Sequence, residues 1–218
     1  MRNMSIKGLF FILLSVLMIG GCATSRSVVD IKVTPGPNPA NGKAVKIVQV
    51  ADSRKFEVSP RTQSIPSLNE EEIKDSKISS RAIGRKRNGY GKAMGDFQLP
   101  EQRTVQDVVR EAMTKALREK GYSVVEQGSV AYQNALPLEA DIGQLWTYMT
   151  PGMWSLTLEF ETIVKIKGNV FPTSKEEQIR GYAQMSTQIG SESNYVETMQ
   201  NGIEDFIKNF KEKLKSAK

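Results

Sequence analysis

Apolar residues recur at helical spacing in two segments of the chain. Between Thr104 and Lys120, apolar side chains fall at i, i+3, i+4 and i+7, which predicts an amphipathic helix. Thr104 with Asp107 resembles a capping box at its start, and Gly121 suits a left-handed cap at its end. A second helix is predicted from about Ser193, with this apolar stripe: Val196, Met199, Ile203, Phe206, Ile207, Phe210 and Leu214.

Other segments follow the pattern of β-strands. Residues 44–51 are rich in β-branched side chains on both faces, which predicts a buried strand. Residues 154–166 alternate almost strictly, with Trp154, Leu156, Leu158, Phe160, Val164 and Ile166 on one parity. Residues 138–150 precede them through Pro151-Gly152 and form a natural antiparallel partner, and their apolar parity comprises Leu138, Ala140, Ile142, Trp146 and Tyr148. Weaker strands are predicted at 122–126 and 178–188.

The remaining segments are punctuated by proline and glycine. Residues 55–80 read as a long irregular excursion with at best a short helix near Glu70, and residues 83–95 as a hairpin around Asn88-Gly89. The order of elements predicts an α+β fold: a single domain at 44–218, with a mostly antiparallel sheet and two amphipathic helices packed on one face.

The first twenty residues have a separate pattern. Arg2 and Lys7 precede an uncharged apolar run from Leu9 to Gly20, which is typical of a secretory signal peptide. The run is shorter than the roughly 20 residues that span a bilayer, although an uncleaved anchor helix remains the alternative. Residues 22–43 contain three prolines and two glycines and are predicted to form a flexible linker, within which residues 28–33 could form a short first strand.

The end of the apolar run resembles a bacterial lipobox, Ile19-Gly20-Gly21-Cys22. The resemblance implies a lipoprotein signal peptide at 1–21, a diacylglycerol on the Cys22 sulfur and an N-acyl group on the new amino terminus. Ala23 rather than Asp follows the cysteine, which by the same resemblance favours the outer membrane. The expected location is a lipid anchor there, with the domain facing the periplasm.

Composition narrows the chemistry further. The chain has no histidine, which removes the commonest general base and metal ligand, and its single cysteine is assigned to the anchor. Removal of Arg2 and Lys7 leaves 28 basic against 24 acidic side chains, a net charge of +4. Such mild basicity does not indicate a nucleic-acid partner. We expect no cofactor, no metal site and no catalytic residue.

Two features are candidates for binding. Arg85, Lys86 and Arg87, with Tyr90 in the following turn, form a possible docking surface for an acidic partner or for lipid phosphates. A solvated hairpin whose charges protect a sheet edge is the simpler alternative. Large apolar groups around Pro151-Gly152 suggest either a pocket or core, and parity makes Met149 and Met153 the better surface candidates.

The carboxylates do not form a convincing catalytic pair. Glu159 and Glu161 lie two apart on the polar parity of their strand, which predicts a wet sheet surface. Glu139 and Asp141 share a face but have no third ligand nearby in sequence, so solvation or cross-strand pairing is expected. A periplasmic hydrolase that uses carboxylates alone is therefore the least favoured function.

The chain also resembles the YajG family of uncharacterised bacterial lipoproteins. The matching pieces are Asp52-Ser53-Arg54, the segment from Ile83-Gly84 to Asn88-Gly89-Tyr90-Gly91, Lys120-Gly121-Tyr122 and the alternating strands that follow, which together cover about residues 44–167. The family implies no activity or cofactor. The expected function is a lipid-anchored envelope lipoprotein of binding or structural type, with an envelope protein as partner. The alternative is an auxiliary lipoprotein subunit of a transport or appendage-assembly complex.

Overall fold

A computed structural model describes residues 26–88 and 91–217. The predicted signal peptide at 1–21, the predicted lipidation site Cys22, and Tyr90 lie outside the described residues. The strands are β1 (Ser27–Val28), β2 (Ala44–Asp52), β3 (Ala82–Arg87), β4 (Ala93–Gln98), β5 (Ser123–Val124), β6 (Leu136–Pro151), β7 (Leu156–Gly168) and β8 (Glu176–Thr187). The helices are α1 (Glu70–Lys74), α2 (Ser76–Ser79), α3 (Val105–Glu119) and α4 (Glu192–Lys213).

All eight strands belong to one mixed sheet with β6 at its centre. On one side β6 pairs with β7, which pairs with β8; on the other, its first half pairs with β2 and its second half with β3. The predicted α+β class is confirmed. The prediction of a mostly antiparallel sheet is wrong, because four of the seven strand pairings among the described residues are parallel. Turn residues in the sequence identify antiparallel strands that a short hairpin joins. Parallel strands are joined by long connections, such as the one that contains α3, and so no turn residue identifies them.

A β-bulge in the middle of β6 reverses which parity faces the helices. Ile142 pairs with Val164, but Gln144 pairs with Ile163, so Gly143 is an extra residue. The stripe that begins on Leu138, Ala140 and Ile142 therefore continues on Leu145, Thr147 and Met149. The prediction that Trp146 and Tyr148 share a face with Leu138 is wrong for this reason.

Helices α3 and α4 pack against each other and on one face of the sheet, as predicted. The capping box at Thr104 and Asp107 is present, and Gly121 adopts a left-handed conformation with φ 95°. Helix α4 lies very close to the sheet where Gly181 of β8 faces Gly202. A Cβ at Gly181 would sit 2.5 Å from the Gly202 carbonyl oxygen, so only glycine allows this approach.

The opposite face carries a smaller apolar cluster under the segment that contains α1 and α2. Leu68, Ala82 and Trp146 are buried there. Beside them, the Arg54 guanidinium is fully buried and donates to both oxygens of Asp52 at 2.8 Å. It also donates to the carbonyl oxygens of Ser79, Ala82 and Leu145. The end of β2 is thereby fastened to β3, to β6 and to α2.

Residues 26–43, predicted as part of a flexible linker, are an ordered part of the domain. Val29, Ile31 and Val33 are buried in the main core, where they alternate as in a strand. Further along, Asn38 accepts from the Val124 backbone N–H and donates to its carbonyl oxygen. The alternating apolar side chains thus outweigh the high proline and glycine content.

Candidate functional site: the tip end of the sheet

The predicted basic cluster is divided between the two faces of β3. Arg85 donates to Asn69 at 2.7 Å and pairs with Glu72 at 3.3 Å on the face that carries α1. Arg87 points to the same side and donates to the Ser67 hydroxyl at 2.9 Å. Lys86 points the other way, with its ammonium 2.6 Å from the Ser27 hydroxyl and 5.0 Å from the Phe97 ring centre. The three residues are neighbours in the fold, but each makes contacts within the domain.

The positive charge of Arg87 is less well stabilised than that of Arg85, which pairs with Glu72. Partial burial lowers the pKa of its guanidinium from the ordinary value, and repulsion from Arg85 lowers that pKa further. A nearby anion would relieve both effects. Arg87 also donates to the Gly91 carbonyl oxygen at 2.8 Å, so it braces the turn that joins β3 to β4.

The β3–β4 hairpin and the β6–β7 hairpin turn at the same level of the sheet. Strand β3 runs parallel to β6, with Gly84 beside Thr147, so the turn after Arg87 lies level with the turn after Pro151. The loop after β8 joins them, because Leu156 at the start of β7 pairs with Thr187 at the end of β8. We call this part of the molecule the tip end; among the described residues it comprises 88, 91–92, 151–155 and 187–190.

A cavity of about 250 Å³ lies directly behind these loops. Its lining combines both hairpins with the start of α4: Lys86, Arg87, Phe97, Met149, Leu156, Gly190, Glu192 and Tyr195. Met149, predicted as a surface residue, is 4% exposed and belongs to this lining. The lining mixes apolar side chains with the charged groups of Lys86, Arg87 and Glu192, and the volume is below the roughly 300–1,000 Å³ of ordinary ligand pockets.

The outermost side chains of the tip end are large and apolar. Met153 is 87% exposed, Trp154 is 86% exposed and Ile189 is 73% exposed. Met153 agrees with its prediction as a surface residue, whereas Trp154 was expected in the buried stripe. Alternation of β7 begins only at Leu156, because the chain is still turning at Ser155, whose carbonyl oxygen accepts from the Gly152 N–H.

The first described residues also lie at this end. Arg26 forms ion pairs with Glu72 at 2.7 Å and with Asp96 at 3.1 Å. Ser27 donates a hydrogen bond to Glu192, next to the contact with Lys86. Strand β1 runs parallel to β4, and β4 runs away from the tip end, so the chain comes into the domain from the tip side.

A polar cluster extends over β6, β7 and β8 on the face opposite to α3 and α4, beside the smaller apolar cluster. Glu159 accepts hydrogen bonds from Tyr182 at 2.7 Å, from Thr150 at 2.6 Å and from Tyr148 at 3.3 Å. Glu161 instead pairs with Arg180 at 2.6 Å. The two carboxylates thus have separate partners, which is the arrangement of a cross-strand network and not of a shared-proton pair.

The tyrosines of this cluster are held as hydrogen-bond donors. Burial, together with the hydrogen bond to Glu159, raises the pKa of Tyr182 to about 12. The pKa of Tyr148 is raised for the same reasons. Since the folded-state pKa exceeds the ordinary value of about 10, stability from Tyr182 is fully present below pH 10 and is lost as the pH rises toward 12.

Replacing Tyr182 by phenylalanine should therefore flatten the alkaline stability profile. We expect the difference in unfolding free energy between the wild type and Tyr182→Phe to shrink between pH 9 and pH 11.5. Urea titrations at four pH values in that range measure it, and Tyr195, which burial also shifts, acts equally in both proteins. A difference that stays constant across the range would show that the phenol of Tyr182 does not titrate as described.

Neither metal nor membrane-spanning features are found in the described part of the chain. Within residues 26–88 and 91–217, no three acidic, histidine or cysteine side chains are placed to hold a metal ion. No helix among the same residues is long and apolar enough to cross a membrane.

The similarities of this chain to known proteins are distant. No protein-family model matches the chain, and no curated protein matches it. One similar solved structure, an uncharacterised protein, is 7% identical, with a TM-score of 0.40 over 87% of this chain and 97% of its own. Another, protein XCC0632 from Xanthomonas campestris of the family DUF330, is 11% identical, with a TM-score of 0.41 over 85% and 92%. Likenesses this distant carry no argument about function, and the resemblance to the YajG family stays a prediction.

The sequence contained no pattern that assigned some residues of the tip end, or the residues next to it, to a binding surface. Ile189 lies in a short loop of ordinary composition, and Arg26 and Ser27 lay inside the predicted linker. The apolar group Met153 and Trp154 beside Pro151-Gly152 was visible, but alternation alone placed Trp154 in the core. Only the register of the two hairpins brings these residues together.

Proposed function

We propose that the chain is a lipid-anchored envelope lipoprotein of binding or structural type, related to the YajG family and held at the outer membrane through acyl groups on Cys22. The observation that carries the proposal is Ile19-Gly20-Gly21-Cys22 at the end of an apolar run preceded by Arg2 and Lys7. Several acyl chains give an effectively permanent anchor, because each buried methylene contributes about 0.8 kcal/mol.

The geometry of the domain is compatible with such an anchor. Arg26, the first residue that the structure describes, follows Cys22 by four positions in the sequence and is fixed by two ion pairs. A domain that begins so soon after its lipid is held against the bilayer surface and does not sample a wide radius. A binding or scaffolding role suits this placement, since the carboxylates of the polar cluster on β6, β7 and β8 are already engaged in hydrogen bonds and ion pairs.

The anchor is tested by replacing Cys22 with serine in the full chain, expressed in a Gram-negative host. We expect the wild type to sediment with the outer membrane and Cys22→Ser to leave that fraction, because serine cannot form the thioether. Ser25→Ala is the matched control, since it alters a nearby residue outside the lipobox. Outer-membrane sedimentation of Cys22→Ser equal to that of the wild type would contradict the proposal.

An auxiliary subunit of an envelope transport or appendage complex is the second candidate. It is favoured by Arg87, a partly buried guanidinium behind the tip end that donates to the neutral oxygens of Ser67 and Gly91, while burial and repulsion from Arg85 lower its pKa. An acidic segment of a partner protein would supply an anion. Stable co-purification of the lipoprotein with a membrane complex, and its loss in Arg87→Gln, would distinguish this function from that of a lone structural lipoprotein.

A further inference from the structure

We propose that the tip end is a membrane-contact surface, with Met153, Trp154 and Ile189 set at the headgroup level of the bilayer that holds the lipid anchor. The inference rests on the proposed function, because it takes Cys22 as the point of attachment. It adds an orientation of the domain and a second, non-covalent contact with lipid.

The first argument is the reach of the tether. The sheet register pairs Ser27 with Phe97, Phe97 with Gly84, and Gly84 with Thr147, so Ser27 lies level with Thr147. The tip at Pro151 projects four residues beyond that level, about 13 Å at the rise of a strand. Cys22 precedes Ser27 by five residues, which reach at most about 18 Å.

The tether's reach of about 18 Å exceeds the tip's projection of about 13 Å by so little that the distance between the tip and the bilayer can vary only slightly. Since the chain comes into the domain from the tip side, an anchor at Cys22 extends only a few ångströms past the turn at Pro151 when its tether is fully stretched. When the strands stand upright on the bilayer, any shorter tether brings the turn and the bilayer into contact. The far end of β6 lies about 50 Å away along a 16-residue strand, well beyond the reach of the lipid.

The second argument is the chemistry of the surface. Trp154 and Met153 are almost fully exposed at the turn after β6, and adjacent exposed apolar side chains mark a contact surface more often than scattered single ones do. Tryptophan is favoured at the membrane interface because its ring is apolar while its indole N–H can bond to water or headgroups. Ile189 lies in the adjacent loop, since Leu156 and Thr187 are paired at its base.

The third argument is charge. The residues of the tip end (88, 91–92, 151–155 and 187–190) include no aspartate or glutamate, and Lys92 is the one charged residue among them. Arg87 lies directly behind them. The nearest acidic side chain in the sequence, Glu192, accepts a hydrogen bond from Ser27 at the cavity rim. A surface of apolar groups with basic groups behind it complements anionic phospholipid headgroups.

The test uses the single cysteine of the chain. Mature protein of residues 22–218, made without acylation, is coupled through Cys22 to a maleimide phospholipid in vesicles of phosphatidylethanolamine and phosphatidylglycerol that also contain brominated phosphatidylcholine. Bromine quenches a tryptophan that lies among the lipids. Trp146 is 0% exposed in the core, so Trp154 is the reporter. We expect loss of Trp154 emission, and no loss in Trp154→Phe.

The matched control moves the anchor to the opposite end of the sheet. Cys22→Ser combined with Gln127→Cys attaches the exposed loop after β5, which lies beside the start of β2 and β6. Quenching should disappear in that protein. Equal quenching from both anchors, or none from Cys22, would overturn the proposal. Because the lipid is attached chemically, failure of natural acylation would refute the proposed function and leave this result unaffected.

Discussion

Arg54→Met should destabilise the domain by about 3–5 kcal/mol, the typical cost of removing one partner from a buried ion pair. The guanidinium is fully buried, and its loss leaves the Asp52 carboxylate, which is only 14% exposed, without its bidentate partner. It also removes the donor for three carbonyl oxygens, on Ser79, Ala82 and Leu145. Methionine fills most of the volume, so the effect isolates the lost polar contacts.

Urea unfolding followed by far-ultraviolet circular dichroism measures this difference. Arg61→Met is the matched control, because Arg61 is exposed in the irregular segment and should change stability by no more than about 0.5 kcal/mol. Arg54→Lys should recover only part of the loss, since an ammonium cannot reproduce the fork of the guanidinium. Equal midpoints for Arg54→Met and Arg61→Met would show that the buried network contributes nothing to stability.

Gly181→Ala should cost about 1–3 kcal/mol, although glycine-to-alanine changes in strands ordinarily stabilise. The added methyl group would meet the Gly202 carbonyl oxygen at 2.5 Å and the Phe206 backbone nitrogen at 2.8 Å. Both are backbone atoms of α4, so the helix must move away from the sheet as a body. The loss should therefore also loosen the packing of Phe206 and Phe160 beneath the helix.

Gly36→Ala provides the reference for this prediction, because a Cβ at Gly36 meets no atom within 4 Å. The same urea titrations should show Gly36→Ala unchanged or slightly stabilised. Should Gly181→Ala match it, the close approach of α4 to β8 would be absent in solution.

The secondary structure was largely predictable, because it depends on local signals. The stripe of α3, its capping box at Thr104 and its glycine stop at Gly121 are all legible within twenty residues. The alternation of β7 from Leu156 onward is equally local. In α3 and β7 the face that the domain buries is the face that carries the apolar residues in the sequence. The tertiary packing therefore supports the local preference for helix or strand.

The errors arose where one residue or one distant pairing decides the outcome. A single extra residue at Gly143 moves Trp146 from the expected face to the other, and period-two alternation contains no warning of it beyond the glycine itself. The parallel pairing of β2 with β6 joins segments about ninety residues apart. Local composition cannot reveal such a partner, since it is chosen by the packing of the whole sheet.

The candidate surface was predictable in its parts but not as a whole. The basic residues of β3 and the apolar group beside Pro151 were each visible as local features. Their meeting at one end of the sheet depends on the contact of Gly84 with Thr147, which lie 63 positions apart. The position of the anchor relative to that end follows from β1, a pair of residues inside a segment that composition assigned to a linker.

The most direct test of the account is the intact mass of the full chain after expression in a Gram-negative host and extraction from its membranes. We expect a polypeptide of residues 22–218 that carries a diacylglycerol and a further acyl group, with both modifications on the peptide that begins at Cys22. A mass equal to residues 1–218, or an unmodified Cys22 on the protein from the membrane fraction, would contradict it.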